Sequence, residues 1–199
     1  MPLIIGIAGK IGVGKTTTSD YLEQKYSFSE YSFAEPIKKI GLAFGFESHQ
    51  LYGTQRQKME VNEHWGVSAR HFLQKFGTDI CRDVMPTIIP DMKFGDSGTP
   101  WIRLFEIHVA KLVKENPHAC IVISDVRFVN EAEAIQKMGG YVFRIDREEK
   151  IETDEKTASH ASETQLMKIN ADLILDNSGT KDTLYATLDS VIGNIVRGM

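Results

Sequence analysis

The sequence predicts an α/β fold in which parallel strands are joined by right-handed crossovers and carry helices on both faces. Short apolar segments alternate along the chain with segments of helical periodicity, which is the pattern of such a sheet. The chain has 199 residues, 42% of them hydrophobic, so it can bury a full core. No repeat or linker divides it, and we expect one domain over residues 1–199.

The strands are predicted where an apolar run is short and ends at glycine or at polar residues. Five segments meet this description: Leu3–Ala8, Phe28–Phe33, Ala119–Ser124, Tyr141–Ile145 and Ala171–Leu175. Helices are predicted between and after them, over residues 15–26, 36–46, 68–84, 100–115, 130–138 and 184–195. Residues 47–67 have no clear pattern, and residues 85–98 are predicted to form a loop.

Capping patterns set the beginnings of several helices. Ser68 and Thr99 are predicted N-caps, and Asn130 with Glu133 forms a capping-box pattern, as do Ser162 and Gln165. Two helices also have a predicted apolar side. In the first it consists of Phe72, Leu73, Phe76, Ile80 and Val84, and in the second of Trp101, Leu104, Phe105, His108 and Leu112.

The strongest functional motif lies between the first strand and the first helix. Residues 9–16 read G-K-I-G-V-G-K-T and fit the P-loop pattern G-x-x-x-x-G-K-[ST]. Glycines let the backbone N–H groups of such a loop point at phosphate oxygens, and the helix N-terminus adds its positive dipole end. We expect Lys15 to bridge the β- and γ-phosphates of ATP and Thr16 to hold Mg²⁺. The predicted ATP-binding residues here are Gly9, Ile11, Gly12, Val13, Gly14, Lys15, Thr16 and Thr17.

A P-loop occurs in kinases, motor ATPases and switch GTPases, and the rest of the sequence separates these classes. The sequence has no N-K-x-D motif for reading guanine and no L-S-G-G-Q signature. The strand over 119–124 continues into Asp125-Val126 and not into an Asp-Glu pair, so the carboxylate that commonly activates water in ATPases is missing there. A small-molecule kinase is therefore the leading class.

The segment D-V-R-F-V-N-E over residues 125–131 leaves a central strand beside the P-loop. Ligands of parallel sheets bind at the carboxyl ends of the strands. Asp125 is placed to order Mg²⁺ or to meet a substrate, and Arg127 offers a planar fork for phosphate. The alternatives are that these two side chains pair with each other and that Asn130 only caps a helix.

Two further segments carry candidate binding residues. Arg70, Gln74, Gly77 and Cys81 share one face of an α-helix, which suits a nucleotide or is simply a solvated face. The charged stretch over 144–156 is either a lid that folds arginines over the phosphoryl group or a surface loop. The histidines form no pair with metal-binding spacing, so zinc is not predicted. Two cysteines without a C-x-x-C pair indicate reduced thiols and a cytoplasmic protein.

Several motifs together resemble a known family. They are F-A-E-P-I-K (33–38), L-Q-K-F-G-T-D (73–79), I-S-D-V-R-F (123–128), H-A-S-E (160–163) and D-N-S-G-T (176–180). With the P-loop, and in this order, they look like the deoxynucleoside monophosphate kinases of tailed bacteriophages over nearly the whole chain. Val129 departs from the proline expected in that turn.

The resemblance implies a P-loop kinase fold with five parallel strands, ATP as phosphoryl donor, Mg²⁺, and a deoxynucleoside monophosphate as acceptor. It implies an acceptor-binding helical region over 34–100 and a lid over 147–162 that contains Arg147. Lys15, Asp125, Arg127 and Arg147 are the expected catalytic residues. The expected acceptor-binding residues are Glu35, Arg70, Gln74, Gly77, Asp125, Arg127 and Asn130. Asn177, Gly179 and Thr180 are expected near the ATP base, although Thr180 fits an N-cap equally well.

Other functions stay open from sequence. Dephospho-coenzyme A kinases share a similar P-loop start, and a nucleoside kinase or an ATP-binding regulatory protein would carry the same loop. The formal net charge of −4 disfavours a DNA-stimulated ATPase, and no apolar run reaches the length of a membrane span. We therefore expect nucleotide substrates and neither nucleic acid nor membrane partners, with a homodimer as the expected assembly. Gln74 and residues 50–66 are candidates for reading the base.

Overall fold

A computed structural model of the protein describes residues 1–95, 98–148 and 165–198. Its centre is a five-stranded sheet in the order β2-β3-β1-β4-β5, and every strand pair is parallel. The parallel α/β sheet predicted from sequence is confirmed. The strands are β1 (Leu3–Ala8), β2 (Ser29–Tyr31), β3 (Cys120–Val126), β4 (Tyr141–Asp146) and β5 (Leu173–Asp176).

Nine α-helices of the described residues lie between and after the strands along the chain. They are α1 (Lys15–Tyr26), α2 (Glu35–Ala43), α3 (Ser48–Tyr52), α4 (Gln55–Met59), α5 (Ala69–Gln74), α6 (Met85–Ile88), α7 (Pro100–Glu115), α8 (Val129–Lys137) and α9 (Lys181–Gly198). A π-helical segment, Lys75–Val84, joins α5 to α6. None of the helices within the described ranges is both long and apolar enough to cross a bilayer.

Helices cover both faces of the sheet, as β1 shows. Ile5 and Ile7 lie in one buried cluster with Leu22 of α1 and Leu188 of α9. The intervening Gly6 faces α8, because a Cβ added there would lie 2.6 Å from Cδ1 of Ile135. Successive residues of a strand point to opposite faces, so α8 packs on the face opposite to α1 and α9. The predicted cover on both faces is confirmed.

The chain divides into two compact units. The first consists of Met1–Ser32 with Lys111–Met199 and contains the sheet. The second, Phe33–Ala110, is helical and encloses the 34–100 region that the sequence predicts to bind the acceptor. Its own core includes Phe46, Leu51 and Ala69. The acceptor-binding role of this region stays a prediction.

The helix predicted over 68–84 begins as expected but changes its winding. Ser68 is the N-cap, because its hydroxyl accepts the N–H of His71 at 3.2 Å. From residue 75 the turns are π-helical and wider, so the α-helical spacing no longer decides which side is buried. Ile80 and Val84 are exposed, at 47% and 43%, and the prediction that they belong to the buried apolar side is wrong.

The same helix corrects two other predictions. Gly77 and Cys81 are the buried residues of the π-helical segment, and α5 carries Arg70 and Gln74, so the four residues do not follow one α-helical face. The helix also continues through α6 to Ile88, where a loop was predicted from residue 85. Pro86 has no N–H to donate to the preceding turn, so the helix continues past it without that hydrogen bond.

Other helices begin or face differently from the prediction. In α7, Ile102 and Val109 are buried while Leu104 is exposed, so the buried side is rotated from the predicted one. The Thr99 carbonyl accepts the N–H of Arg103 at 3.1 Å, as an N-cap should. Its hydroxyl, however, is buried and has no hydrogen-bond partner within the described residues, so the predicted side-chain cap is absent.

The start of α8 is also capped differently. Glu131 accepts backbone N–H groups at this helix start, whereas Asn130 lies inside the helix. The predicted Asn130–Glu133 capping box, and with it the interpretation of Asn130 as an N-cap, is therefore wrong. Ser162 of the other predicted box lies outside the described residues.

Candidate active site

Four strand ends meet at one edge of the sheet. In the parallel register, Ala8 pairs with Val126 of β3 and with Arg144 of β4, and Asp146 pairs with Asp176 of β5. The P-loop follows β1, and Asp125 is the last residue but one of β3. Arg147 follows β4, and Asn177 follows β5. The register therefore brings these four groups of predicted residues to the same edge, where ligands of parallel sheets bind.

The P-loop has a backbone that only glycines adopt readily. Gly9, Gly12 and Gly14 have φ values of +151°, +81° and +106°. A Cβ on Gly9 would also lie 2.7 Å from the carbonyl oxygen of Ile145. Gly14 is the N-cap of α1 and has no side chain that could accept a first-turn N–H group. The N–H groups of such a helix start suit the binding of an anion.

Lys15 folds back over its own loop. Its Nζ donates to the carbonyl oxygens of Gly9 at 2.7 Å and of Lys10 at 2.6 Å. Thr16 is exposed in the first turn of α1, whereas Val13 is buried in the core beneath the loop. The ammonium group and the hydroxyl group are thus both carried by the same helix start.

Asn177 is tied to the P-loop. Its side chain is 9% exposed, and Nδ2 donates to the carbonyl oxygen of Val13 at 2.8 Å. Its backbone N–H donates to the carbonyl oxygen of Asp146 at 2.8 Å. The predicted position of Asn177 near the ATP base stays a prediction, and its side chain contacts the loop that the sequence predicts to bind phosphate.

The two other residues predicted near the base follow Asn177 directly. Gly179 and Thr180 are both exposed. The Thr180 hydroxyl accepts the N–H of Thr183 at 3.3 Å and so caps α9. This contact is the N-cap alternative that the sequence left open, whereas a contact with ATP stays a prediction for both residues.

Asp125 is oriented by a neighbouring strand end. The hydroxyl of Ser32, which follows β2, donates to Oδ2 of Asp125 at 2.7 Å. Burial raises the pKa of Tyr31, and the nearby negative charges of Asp125 and Glu131 raise it further. The Tyr31 phenol therefore stays protonated at neutral pH. Ser32 is a site residue that sequence reasoning missed, because no spacing relates it to residue 125.

Arg127 lies in a two-residue turn between β3 and α8. Its side chain is half-buried, and its backbone N–H donates to Oε2 of Glu131 at 2.9 Å. Asn130 is half-buried in the first turn of α8. Glu131 belongs to the segment D-V-R-F-V-N-E over residues 125–131, but the sequence predicts no role for it. The signal that would have found it is a carboxylate four residues after a strand-end arginine, at the start of a helix.

Arg147 is half-buried and follows β4 directly. The predicted lid extends from this residue to 162, and residues 149–164 lie outside the described ranges, including Lys150 and Lys156. Arg144 lies within β4 and makes an ion pair with Asp146 at 3.1 Å. The lid is therefore still a prediction.

The predicted acceptor-binding residues of the second unit make contacts within that unit. Glu35 begins α2, and its Oε1 accepts the Tyr52 hydroxyl at 3.1 Å. Arg70 donates to the side-chain oxygen of Gln55 in α4. Both side chains are thus held by α3 or α4, which lie in the 47–67 stretch that the sequence left unassigned.

Gln74 and Gly77 differ in exposure. Gln74 is half-buried at the end of α5. Gly77 is buried, its carbonyl accepts the Trp101 Nε1–H at 2.8 Å, and a Cβ there would lie 2.6 Å from Cδ1 of Ile37. The close approach of Ile37 leaves little room for a Cβ at this position.

Solved structures share this fold. A Campylobacter jejuni dephospho-CoA kinase superposes with a TM-score of 0.53 at 15% identity, over 100% of this chain and 99% of the other. The Thermus thermophilus protein TT1252 superposes with a TM-score of 0.51 at 14% identity, over 97% of each chain. The parallel sheet with a P-loop after its central strand is therefore the fold of P-loop kinases.

Sequence relatives identify the family within this class. The family model for deoxynucleotide monophosphate kinase matches residues 43–188. A protein of Acanthamoeba polyphaga mimivirus assigned to the same kinases is 40% identical, over 96% of this chain and 97% of its own. The deoxynucleotide monophosphate kinase of Escherichia phage RB69 is 24% identical, over 66% of this chain and 47% of its own. The chain belongs to the deoxynucleotide monophosphate kinase family and is an ATP-dependent nucleotide kinase, as the resemblance predicted.

Proposed function

We propose that the protein transfers the γ-phosphoryl group of ATP to a deoxynucleoside 5′-monophosphate, giving ADP and the deoxynucleoside diphosphate for DNA synthesis in the cytoplasm. One observation carries most of the proposal. The register of the sheet brings the glycine-containing P-loop, Asp125 at the end of β3 and Arg127 in the following turn to the same edge. A donor triphosphate and an acceptor phosphate both need cationic and N–H groups of this kind.

The P-loop supplies the donor side of the reaction. We assign the ATP phosphates to the N–H groups of the loop and to the ammonium group of Lys15. Because Lys15 is held by two carbonyl oxygens of its own loop, at 2.7 and 2.6 Å, it is positioned before ATP binds. Groups positioned in advance need no reorganisation as charge develops on the transferring phosphoryl group.

Mg²⁺ fits the residues at this helix start. The Thr16 hydroxyl is exposed and the Asp125 carboxylate lies at the neighbouring strand end, and both are oxygen donors of the kind that Mg²⁺ prefers. The described residues hold no group of three or more His, Cys, Asp or Glu side chains suited to a metal. The ion is thus expected to take its remaining ligands from phosphates and water. When bound, it neutralises charge on the phosphates.

The acceptor needs orientation but no general base. The second pKa of a phosphate monoester is about 6, so the acceptor is largely a dianion at pH 7. One of its oxygens attacks the γ-phosphorus, the bond between that phosphorus and the β–γ bridging oxygen breaks, and ADP leaves. We assign the acceptor phosphate to Arg127, with Asp125 beside it. Arg147 is proposed to act on the transferring phosphoryl group.

Recognition of the nucleoside is assigned to the second unit on the family resemblance. Glu35, Arg70 and Gln74 are the residues of this unit proposed for it. For the first unit, Asn130 is proposed separately as an acceptor-binding residue. The described contacts of Glu35 with Tyr52 and of Arg70 with Gln55 support the view that α3 and α4 fix these side chains.

A panel of acceptors tests the function. The protein is incubated with ATP and Mg²⁺ and with each common ribo- and deoxyribonucleoside monophosphate, with deoxynucleosides and with dephospho-coenzyme A, and ADP is measured. We expect ADP formation to depend on a deoxynucleoside monophosphate. Transfer to dephospho-coenzyme A or to a nucleoside alone would establish another kinase, and ATP binding without any acceptor-dependent ADP would indicate a regulatory protein.

A further inference from the structure

Glu131 is a buried carboxylate to which neither the motifs nor the resemblance assign a role. Its side chain is 2% exposed, although it lies in the first turn of α8, where carboxylates are usually solvated. Burial of a charged group is costly unless hydrogen bonds compensate for it. The contacts of this carboxylate therefore indicate what it does.

Oε2 of Glu131 accepts two successive backbone N–H groups. It lies 2.9 Å from the nitrogen of Arg127 and 3.1 Å from that of Phe128. The next N–H, that of Val129, donates to Oε1 of Gln165 at 3.4 Å. Every N–H between the end of β3 and the first residue of α8 is thus held by a side-chain oxygen. These bonds define the backbone of the two-residue turn that carries Arg127.

We propose that Glu131 is a positioning residue that acts through Arg127 in phosphoryl transfer. It sets the direction in which the Arg127 side chain leaves the backbone, and it is itself too buried to contact a substrate. This inference rests on the proposed function, which assigns the acceptor phosphate to Arg127. It adds that the strand-end arginine depends on a carboxylate inside the adjoining helix.

The packing of α8 makes this arrangement rigid. Ala132 and Ile135 of the same helix are buried, and Ile135 packs against β1 at Gly6. Because the helix is fixed on the sheet, the Glu131 carboxylate holds the turn in one position. A displacement of about 1 Å in a group that positions a substrate can cost about a hundredfold in rate. Loss of the Glu131 carboxylate should therefore reduce activity even in a protein that remains folded.

A double-mutant cycle distinguishes a positioning role from a structural one. The variants are Glu131→Gln, which keeps the shape and one acceptor oxygen, Glu131→Ala, Arg127→Ala and the two double variants. Glu133→Gln is the matched control, since Glu133 is an exposed carboxylate on the same helix. Each protein is assayed for kcat and KM with the best acceptor of the panel at saturating ATP. A thermal melt and the Kd of a non-hydrolysable ATP analogue are measured alongside.

We expect Glu131→Ala to lower kcat/KM for the acceptor by about tenfold to a hundredfold, with partial rescue in Glu131→Gln and no change in Glu133→Gln. The Kd of the ATP analogue should stay within a factor of about two, because the P-loop belongs to β1 and α1. In the Arg127→Ala background the same substitutions should change kcat/KM less than about threefold.

Three results would overturn the inference. The first is a Glu131→Gln or Glu131→Ala protein with the kinetics of Glu133→Gln. The second is an equal loss in the presence and absence of Arg127, which would show that Glu131 only stabilises the fold. If Glu131→Ala does not fold, Glu131→Gln in both backgrounds decides between these outcomes. The third is a wild-type protein that transfers no phosphoryl group, or an Arg127→Ala protein with full activity. Either result would overturn the proposed function and, with it, this inference.

Discussion

Lys15 is the residue whose charge the proposed reaction uses most directly. Its ammonium group is held by carbonyl oxygens of Gly9 and Lys10, so it stays at the loop that is proposed to bind the triphosphate. Loss of one preorganised donor typically costs about 3 kcal/mol of barrier. The contribution of Lys15 is therefore expected in the rate of transfer and not only in the affinity for ATP.

We predict that Lys15→Ala and Arg127→Ala each lower kcat/KM by at least about a hundredfold, because each removes a cation from a phosphate in the transition state. Steady-state kinetics with the best acceptor measure this. Lys10→Ala removes the same charge from the same loop but keeps the backbone carbonyl that holds Lys15, and it should stay within about threefold. Near-wild-type turnover of Lys15→Ala or of Arg127→Ala would refute the role assigned to that residue.

Asn177 contacts the same P-loop at Val13 and Gly14. The buried amide donates to the Val13 carbonyl, and a Cβ on Gly14 would collide with this amide group. An aspartate at this position would place an oxygen against the carbonyl oxygen and a negative charge beside the proposed phosphate site. Asn177 thus supports the loop backbone, whatever its role toward the ATP base.

We predict that Asn177→Asp raises the KM for ATP by about tenfold, since it replaces a hydrogen bond by repulsion between two oxygens. The KM for the acceptor should change much less. Asn170→Asp, which adds the same charge at an exposed position, serves as the control. An unchanged KM for ATP in Asn177→Asp would show that the loop holds its conformation without this amide.

At the scale of elements, α1 and α9 are joined by a cluster around Asp189. Its carboxylate accepts hydrogen bonds from Lys25 at 2.6 Å and from the hydroxyls of Tyr21 and Tyr26 at 2.7 Å each. Tyr21 also stacks on Tyr185 with ring centroids 3.9 Å apart. The bonds from Lys25, then Tyr26 and Tyr21, lower the pKa of Asp189 from 3.8 to about 2.

This shift predicts how pH affects stability. Because the pKa of Asp189 is lower in the folded than in the unfolded protein, the ionised carboxylate stabilises the fold fully above about pH 5, and this stabilisation is lost as pH falls toward 2. The hydrogen bond to Asp189 raises the pKa of Lys25, so the stabilisation from the charged Lys25 persists at neutral pH and is lost only in strong alkali. Asp189→Asn should lower the Tm at pH 7, and its difference from wild type should shrink below pH 4.

Thermal melts between pH 2 and 7 measure this difference. Asp20→Asn, an exposed carboxylate on α1, is the control and should change the Tm little at any of these pH values. A Tm difference for Asp189→Asn that stays constant down to pH 2 would contradict the assigned role of its charge.

Periodic patterns made some elements predictable and left others out of reach. The bounds of α1 agree with the prediction, because a glycine loop precedes it and an apolar strand precedes that loop. The π-helical segment could not be predicted, since its apolar residues have the spacing of an ordinary α-helix and no local pattern marks the wider turn. The short helices α3 and α4 have few apolar residues, so no periodicity marks them.

On the scale of the whole molecule, sequence and structure contribute different parts of the account. The P-loop, the strand-end motif and the sheet follow from the sequence, because motifs and alternating elements are local patterns. Contacts between distant residues, such as Ser32 with Asp125 and Asn177 with Val13, are set by the strand order and have no local signal. The net charge of −4 does not reveal that Lys15, Arg127 and Arg147 all follow strand ends at one edge of the sheet.

The central claim is that the γ-phosphoryl group of ATP passes directly to a deoxynucleoside monophosphate. Label transfer tests it most directly: the protein is mixed with Mg²⁺, ATP labelled in its γ-phosphoryl group and the best acceptor, and the labelled products are separated and counted. The account predicts one labelled deoxynucleoside diphosphate for each ADP, formed at least about a hundredfold more slowly by Lys15→Ala. Label that appears in inorganic phosphate, or that leaves ATP equally fast without the acceptor, would contradict it.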